Sequence, residues 1–183
     1  MKKDLGSVIG LYPAPLAVVG AYVGGKPNWV LVGHLGIIGH DRIMLSLAKP
    51  HYTNRGIREN GVLSVNIVDE SLLEKADYVG CVSGNKADKS QVFEAEKGAA
   101  GAPVITESPL VMECKVDDVY ETEGFESFIC KVAHTYADES ILNDKGKIDY
   151  RKLRPVLFEM PTYEYLATGE VLGRCTSYGK RAR

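Results

Sequence analysis

The sequence predicts a mainly β protein: an antiparallel barrel, closed or nearly closed, with short helices covering its ends. Three observations carry this expectation. Val, Ile, Leu, Thr and Tyr gather in short runs divided by Gly, Pro, Asn and Asp, as strands and their turns require. At least six such runs fit within 183 residues. Only two segments space their apolar residues as a helix does.

In chain order, "PLAVVGAYV" and "NWVLVGHLGI" flank "GGKP", which reads as a hairpin with a glycine-rich turn. "RIMLSLA" is the next apolar run, and "VLSVNIV" after Asn60-Gly61 another. In "PLVMECKVDDVYE", Leu110, Met112, Cys114 and Val116 share one face, and Glu113, Lys115 and Asp117 the other, the alternation of a half-buried antiparallel strand. "SFICKVAHTYA" follows a turn at Glu123-Gly124, with Phe128, Cys130, Val132 and His134 on one side, and is expected to pair with it. Thr53 is placed to cap a short helix running to Glu59 and stopped at Gly61. Ser71 is placed to cap a second over "SLLEKADYVGCV". "LNDKGKIDYRK" is a polar turn, and 179–183 a short flexible basic tail.

A hydrophobic content of 45% is enough for one sizeable core, so residues 1–183 are read as a single domain. A net charge of -2 gives no sequence-wide reason to expect nucleic acid or an anionic membrane as partner. No run approaches the roughly 18 apolar residues of a membrane span. "MKKDLGSVIGLYPAP" is too short and too broken by Gly10, Pro13 and Pro15 for a signal peptide. Cys81, Cys114, Cys130 and Cys175 form no CxxC pair, which argues against a zinc ribbon, an iron-sulfur cluster and a thioredoxin-type site, and leaves free buried thiols. These features suit a reducing cytoplasm. Histidines at 34, 40, 51 and 134 have no compact ligand spacing, so no metal is expected. The acids Asp117-Asp118 and Glu121-Glu123 read as a solvated face, not a catalytic pair.

Two loops concentrate chemistry. "SLAKPHYTNRGI" supplies cations at Lys49 and His51, hydroxyls at Tyr52 and Thr53, and a helix beginning near Thr53 whose free amides suit a phosphate. Read alone it is more simply an N-cap at Thr53 beside a solvated Lys49. "ADYVGCVSGNKADKSQVF" gathers Asp77, Gly80, Ser83, Gly84, Asn85, Lys86, Asp88 and Lys89 around a helix end, a long loop of the sort that carries function or merely faces solvent. Asn66 either satisfies backbone groups or faces a groove. Trp29 and Tyr12 either stack on a ring ligand or sit in the core.

Taken together, "YPAPLAVVGAY", "GKPNWVLVGHLGI", "HYTNRGIRENGVLSVNI" and "DYVGCVSGNKADKSQVF" resemble the flavin reductase-like, FMN-binding split-barrel family, and most closely its flavoredoxin branch. The resemblance runs from Pro13 to "DESILNDKGKID" and beyond, and "DYxGxxSGxxxDKxxxF", Asp77 to Phe93, is its most specific element. It implies an antiparallel split barrel of Greek-key type that binds FMN non-covalently in a groove at a homodimer interface. The chemistry would then lie on FMN, with no catalytic acid or base from the protein.

Position by position, the resemblance makes Ser46, Leu47, Ala48, Lys49, His51, Tyr52 and Thr53 the flavin and phosphate loop, with Ala48 and His51 where the family commonly has arginines. His34, Leu35 and Gly36 match a strand end that lies against the isoalloxazine ring, His34 replacing a tryptophan. Ser83 and Asp88 shape the second loop, Gly84 lies within it, and Lys89 reaches the phosphate. The implied function is an FMN-binding oxidoreductase. It would pass electrons from NADH, NADPH or a redox protein through bound FMN to a flavin or another small acceptor. The alternative is a flavoredoxin-like electron-transfer protein without an organic substrate of its own. The family's Gly-x-His before the strand "SFICKV" reads Gly124-Phe125-Glu126 here, a departure that weighs toward the carrier.

Overall fold

The computed structural model describes residues 1–179; of the basic tail expected at 179–183, all but Gly179 lies outside them. The elements run β1 (Ala14–Pro15), β2 (Ala17–Val23), β3 (Lys26–Val32), β4 (Leu35–Ile37), β5 (Arg42–Ala48), α1 (Tyr52–Asn60), β6 (Val62–Ile67), α2 (Leu73–Cys81), β7 (Ala95–Lys97), β8 (Pro103–Ile105), β9 (Leu110–Glu121), β10 (Phe125–Ala137), a 3-10 turn (Glu139–Ile141), α3 (Tyr150–Leu153), β11 (Leu157–Glu159) and β12 (Glu164–Leu166). Seven strands form one antiparallel sheet in the order β3-β2-β6-β9-β10-β5-β4, curled into a half-barrel. The expected antiparallel barrel is therefore present in split form, with β3 and β4 as its edges.

The hairpin turn is Gly24-Gly25, both at positive φ, the backbone that a two-residue turn between twisted strands demands. The next element, β4, pairs back onto β5, Leu35 opposite Leu45. Strands β9 and β10 pair as expected, with Cys130 opposite Val116, and register shifts at Ile129/Cys130 and Val132/His134 bend them.

Alternation along β2 feeds two cores. Ala17, Val19 and Ala21 join Leu45, Leu47, Leu63, Val65 and Phe128 on one side. Leu16 and Val18 join Trp29, Ala76, Val79 and Phe93 under α2 on the other. Trp29 is thus a core residue, edge-on to Phe93 with ring centroids 5.6 Å apart. Asn66 satisfies backbone groups: Nδ2 donates to the Val18 carbonyl and Oδ1 accepts from Ile105 N–H.

Several local expectations are corrected. The N-cap of α1 is His51, while Thr53 lies inside the helix; Gly61 ends it as expected, at φ 67 with its N–H on the Ile57 carbonyl. At α2 it is Asp69, not Ser71, that satisfies the start, its Oδ1 accepting from the N–H groups of Ser71 and Leu72. The polar segment at 142–152 contains the short helix α3, capped by Asp149 accepting from Arg151 N–H. Only Cys114 and Cys130 are buried thiols, whereas Cys81 and Cys175 are exposed. Glu113 is not on a solvent face: it is 0% exposed and holds the loop between β7 and β8. Among the described residues no helix is long and apolar enough to cross a membrane.

Candidate functional site

A cleft opens where the ends of β3 and β5 face α2 and the C-terminal hairpin. Its larger compartment, about 500 Å³, is walled by Leu31, His34, Leu47, Ala48, Phe125 and Phe158, among others. A second compartment of about 230 Å³ is formed by Tyr52, Thr53, Val82, Ser83, Gly84 and Lys89. His51, Gly80 and Cys81 line both, so the two are neighbours in one cleft.

The first compartment is apolar with a few polar groups. The Ser46 side chain accepts from Ser127, and Ser46 N–H donates to the His34 carbonyl. The His34 ring Nε2 lies 2.8 Å from the Tyr12 hydroxyl. Tyr165 donates to Asp77 at 2.5 Å. Desolvation, reinforced by that carboxylate, raises the Tyr165 phenol well above its ordinary range. Gly33 admits the hairpin: a Cβ there would lie 2.7 Å from the Phe158 ring.

The second compartment is cationic. Lys89 is 3% exposed and donates to the Val79 and Val82 carbonyls at the C-terminus of α2, where a cation meets unpaired carbonyl groups. Burial pushes this ammonium down to about 8. Desolvation of its ring, and after it the charge of Lys89, lowers His51 below its ordinary value. The amides of Tyr52 and Thr53 open α1 with no hydrogen-bond partner among the described residues.

The arrangement gathers His34, Ser46, Leu47, Ala48, His51, Tyr52, Thr53, Ser83, Gly84 and Lys89 around the cleft. It does not bring Leu35, Gly36, Lys49 or Asp88 to the walls of either compartment. Leu35 and Gly36 form the edge strand β4. Lys49 pairs with Glu121 at 3.2 Å, and Asp88 with Lys26 at 2.8 Å. Sequence reasoning missed Asp77 as a wall residue, Cys81, Phe125, Phe158 and Met160, while Tyr163 and Tyr165, from the segment "YEYLATG" that reads as a cover for the flavin mouth, do line the cleft.

Thr53 also has a structural duty, since its Oγ1 accepts from the buried Asn28 Nδ2 at 2.7 Å. Thr53→Val keeps the shape but strands that donor. The expected loss is about 1–3 kcal/mol of unfolding free energy, measured by denaturant titration.

Comparison with known proteins follows this geometry. Residues 9–162 match the model of the flavin reductase like domain. The chain is similar to a flavoredoxin from Methanosarcina acetivorans, at 34% identity and a TM-score of 0.94 over 100% of both chains. It is also similar to the flavoredoxin of Desulfovibrio vulgaris (Miyazaki F), at 35% identity and a TM-score of 0.90 over 98% of this chain and 100% of that one. An FMN-binding protein from Thermus thermophilus shares the fold at 19% identity, with a TM-score of 0.80 over 95% and 97% of the two chains. A curated uncharacterized protein from Aeropyrum pernix is 25% identical over 120 residues, which is 63% of this chain and 45% of that relative's length. The family match takes in most of the 183 residues and nearly all of the cleft, and the chain belongs to the flavin reductase-like domain family.

Proposed function

We propose that this chain binds FMN non-covalently in the cleft and works as an oxidoreductase, passing electrons from NADH, NADPH or a redox protein to a flavin or another small acceptor. The observation that carries the reading is the pairing of compartments. An apolar one wide enough for a planar ring system adjoins a smaller one walled by a buried ammonium and the open N-terminus of α1. A flavin mononucleotide has that division, an apolar tricycle at one end and a dianion at the other, and the residues present fit it. Bound there, FMN supplies the hydride and single-electron chemistry. The protein's part is to hold the phosphate through Lys89 and the amides of Tyr52 and Thr53, and to exclude water from the ring with Leu31, Leu47 and Phe158.

Purified protein is expected to be yellow, or to become so with added FMN, and to bleach without oxygen when NADH or NADPH is supplied. A colourless protein that leaves added FMN unbound would overturn the reading.

A second reading, an electron carrier with no organic substrate, is favoured by Phe125. It occupies the cleft mouth, 37% exposed and 5.9 Å from the His34 ring, and next to it Glu126, bound to Asn54 and Arg58, stands where the resemblance leads one to expect the Gly-x-His histidine. In that case dithionite bleaches the protein and neither nicotinamide nucleotide does. The similarity to two flavoredoxins at 34% and 35% identity supports it as well.

The same reading includes a homodimer with the cleft at its interface. It is supported by apolar side chains left in the open beside the edge strand β4, Ile37 at 85% and Ile38 at 49% exposure, and by exposed Leu5, Val8, Ile9 and Leu11 before β1. It also places the protein in the cytoplasm, where the exposed thiols of Cys81 and Cys175 would stay reduced. Because Lys49 is committed to Glu121, Lys49→Ala is expected to change FMN affinity by less than about threefold, read by fluorescence titration.

A further inference from the structure

One wall of the larger compartment is a single element: Phe158, Met160, Tyr163 and Tyr165 all come from the C-terminal hairpin β11–β12. The hairpin is tied down at its base. There β11 pairs with β1, Ala14 opposite Phe158 and Pro15 opposite Leu157, and the buried Val156 just before it donates its N–H to the Val68 carbonyl at 2.8 Å. Among the described residues β12 pairs with β11 alone. Two strands attached along one short edge are marginal in water without a further contact. Tyr163, at φ 59, adds the strain of a left-handed backbone just before β12. The further contact is Tyr165, whose hydroxyl crosses the cleft and donates to Asp77 Oδ1 at 2.5 Å. The receiving side is firm: Asp77 lies on α2, next to Ala76 and two residues before Val79, both buried in the second core.

We propose that β11–β12 is a hinged lid over the larger compartment, latched by the Tyr165 hydroxyl on Asp77, and that opening of this latch sets how fast a flavin enters and leaves. The inference rests on the flavin reading for its occupant. The hairpin lines the larger compartment and not the smaller one, so the lid covers the ring end and takes no part in holding the phosphate. A cover of that kind slows entry and exit alike and leaves affinity nearly unchanged, because the strongest contacts are made whether it is open or shut. A side chain that only touched the bound ring would slow the exit alone. The two roles therefore differ in which rate constant they move. A flavin kept behind the latch serves as a resident electron carrier and exchanges slowly with free flavin.

The test is stopped-flow mixing of the flavin-free protein with FMN over a range of concentrations, the slope and intercept of the observed rate giving the association and dissociation constants. Tyr165→Phe removes only the latching hydroxyl and is expected to raise both rates about tenfold, as loss of a hydrogen bond to a carboxylate allows, while the dissociation constant moves less than about threefold. Asp77→Ala is expected to match it. Asp77→Asn keeps an oxygen that accepts from the phenol and is expected to stay closer to wild type. Unchanged rates in Tyr165→Phe, or a faster exit with unchanged entry, would sink the proposal while leaving the flavin reading standing. In a protein that takes no FMN the flavin reading fails, and amide hydrogen exchange on the flavin-free chain decides the lid. Residues 157–166 are then expected to exchange about tenfold faster in Tyr165→Phe with β9 and β10 unchanged, and equal protection of the hairpin in both proteins would refute the latch.

Discussion

Lys89→Met is expected to weaken FMN binding by about 10- to 100-fold, measured by the quenching of flavin fluorescence on titration; that is the range for losing one charge-assisted hydrogen bond. Lys89 is the one cation lining the smaller compartment that is itself almost fully buried, at 3% exposure. Methionine keeps the length of the apolar stem and removes only the ammonium. Two carbonyls, of Val79 and Val82, lose their donor, but the protein is also relieved of a desolvated charge. The opposed terms predict a stability change smaller than the change in affinity. Comparable losses of both would mean that Lys89 only caps α2.

The acidity of the same group gives that experiment a second axis. Burial pushes Lys89 down to about 8, so in the ligand-free protein the ammonium discharges as pH rises through that value. A phosphate dianion favours the charged form, and binding above it must take up a proton. FMN affinity is therefore expected to fall as pH rises past about 8, by as much as tenfold per unit, and the slope is expected to vanish in Lys89→Met. Stability of the ligand-free protein moves oppositely. Its folded pKa lies below the unfolded value near 10.4, so the unfolded chain binds more protons between the two, and unfolding free energy rises with pH across that window. His51, already lowered by desolvation of its ring and by Lys89, adds charge only in more acid solution.

What was legible in the sequence is what short-range chemistry decides. Gly24-Gly25 and Gly61 mark a turn and a helix end because few other residues adopt those backbones, and the strand runs follow from side-chain alternation. The smaller compartment of the cleft was visible because α1 follows β5 directly, which places His51, Tyr52 and Thr53 together whatever the rest of the chain does. Most of the other wall was not visible. Phe158 reaches Gly33, and Tyr165 reaches Asp77, only through the pairing of β11 with β1, a contact no local pattern encodes. Competition between partners was equally hidden. Lys49 and Lys89 look alike on paper, yet Glu121 claims the first, while the second is buried at the end of α2. Asp88 is drawn off by Lys26, far away in sequence. Alternation also misled at Glu113, because β9 is covered on both faces in its first half.

Glu113→Ala is expected to cost about 2–4 kcal/mol, since it takes the acceptor from the buried Ala102 N–H and from two part-buried donors at once. The carboxylate accepts from Ala100 N–H at 3.0 Å, from Ala102 N–H at 3.1 Å and from the Tyr136 hydroxyl at 2.7 Å. Gly98 lies so close that a Cβ there would meet the carboxyl at 2.3 Å, so the loop is packed directly on the carboxylate that the substitution removes. Glu113→Gln keeps the shape and one acceptor, and Tyr136 can turn to accept from the new amide, so the cost falls to about 1–2 kcal/mol. Burial works to raise the Glu113 carboxyl, but the hydrogen bonds from Ala100, Tyr136 and Ala102 together outweigh it, and the net shift is downward. A carboxyl lowered in the folded state contributes its full stability above the unfolded value of about 4.3 and loses it as pH falls through the folded one. Wild type should accordingly lose more stability than Glu113→Gln on acidification below about pH 4. Neither variant touches the cleft, so both should keep wild-type FMN affinity at temperatures where they are folded. A weakened affinity in folded Glu113→Gln would show that the loop between β7 and β8 is coupled to the flavin site.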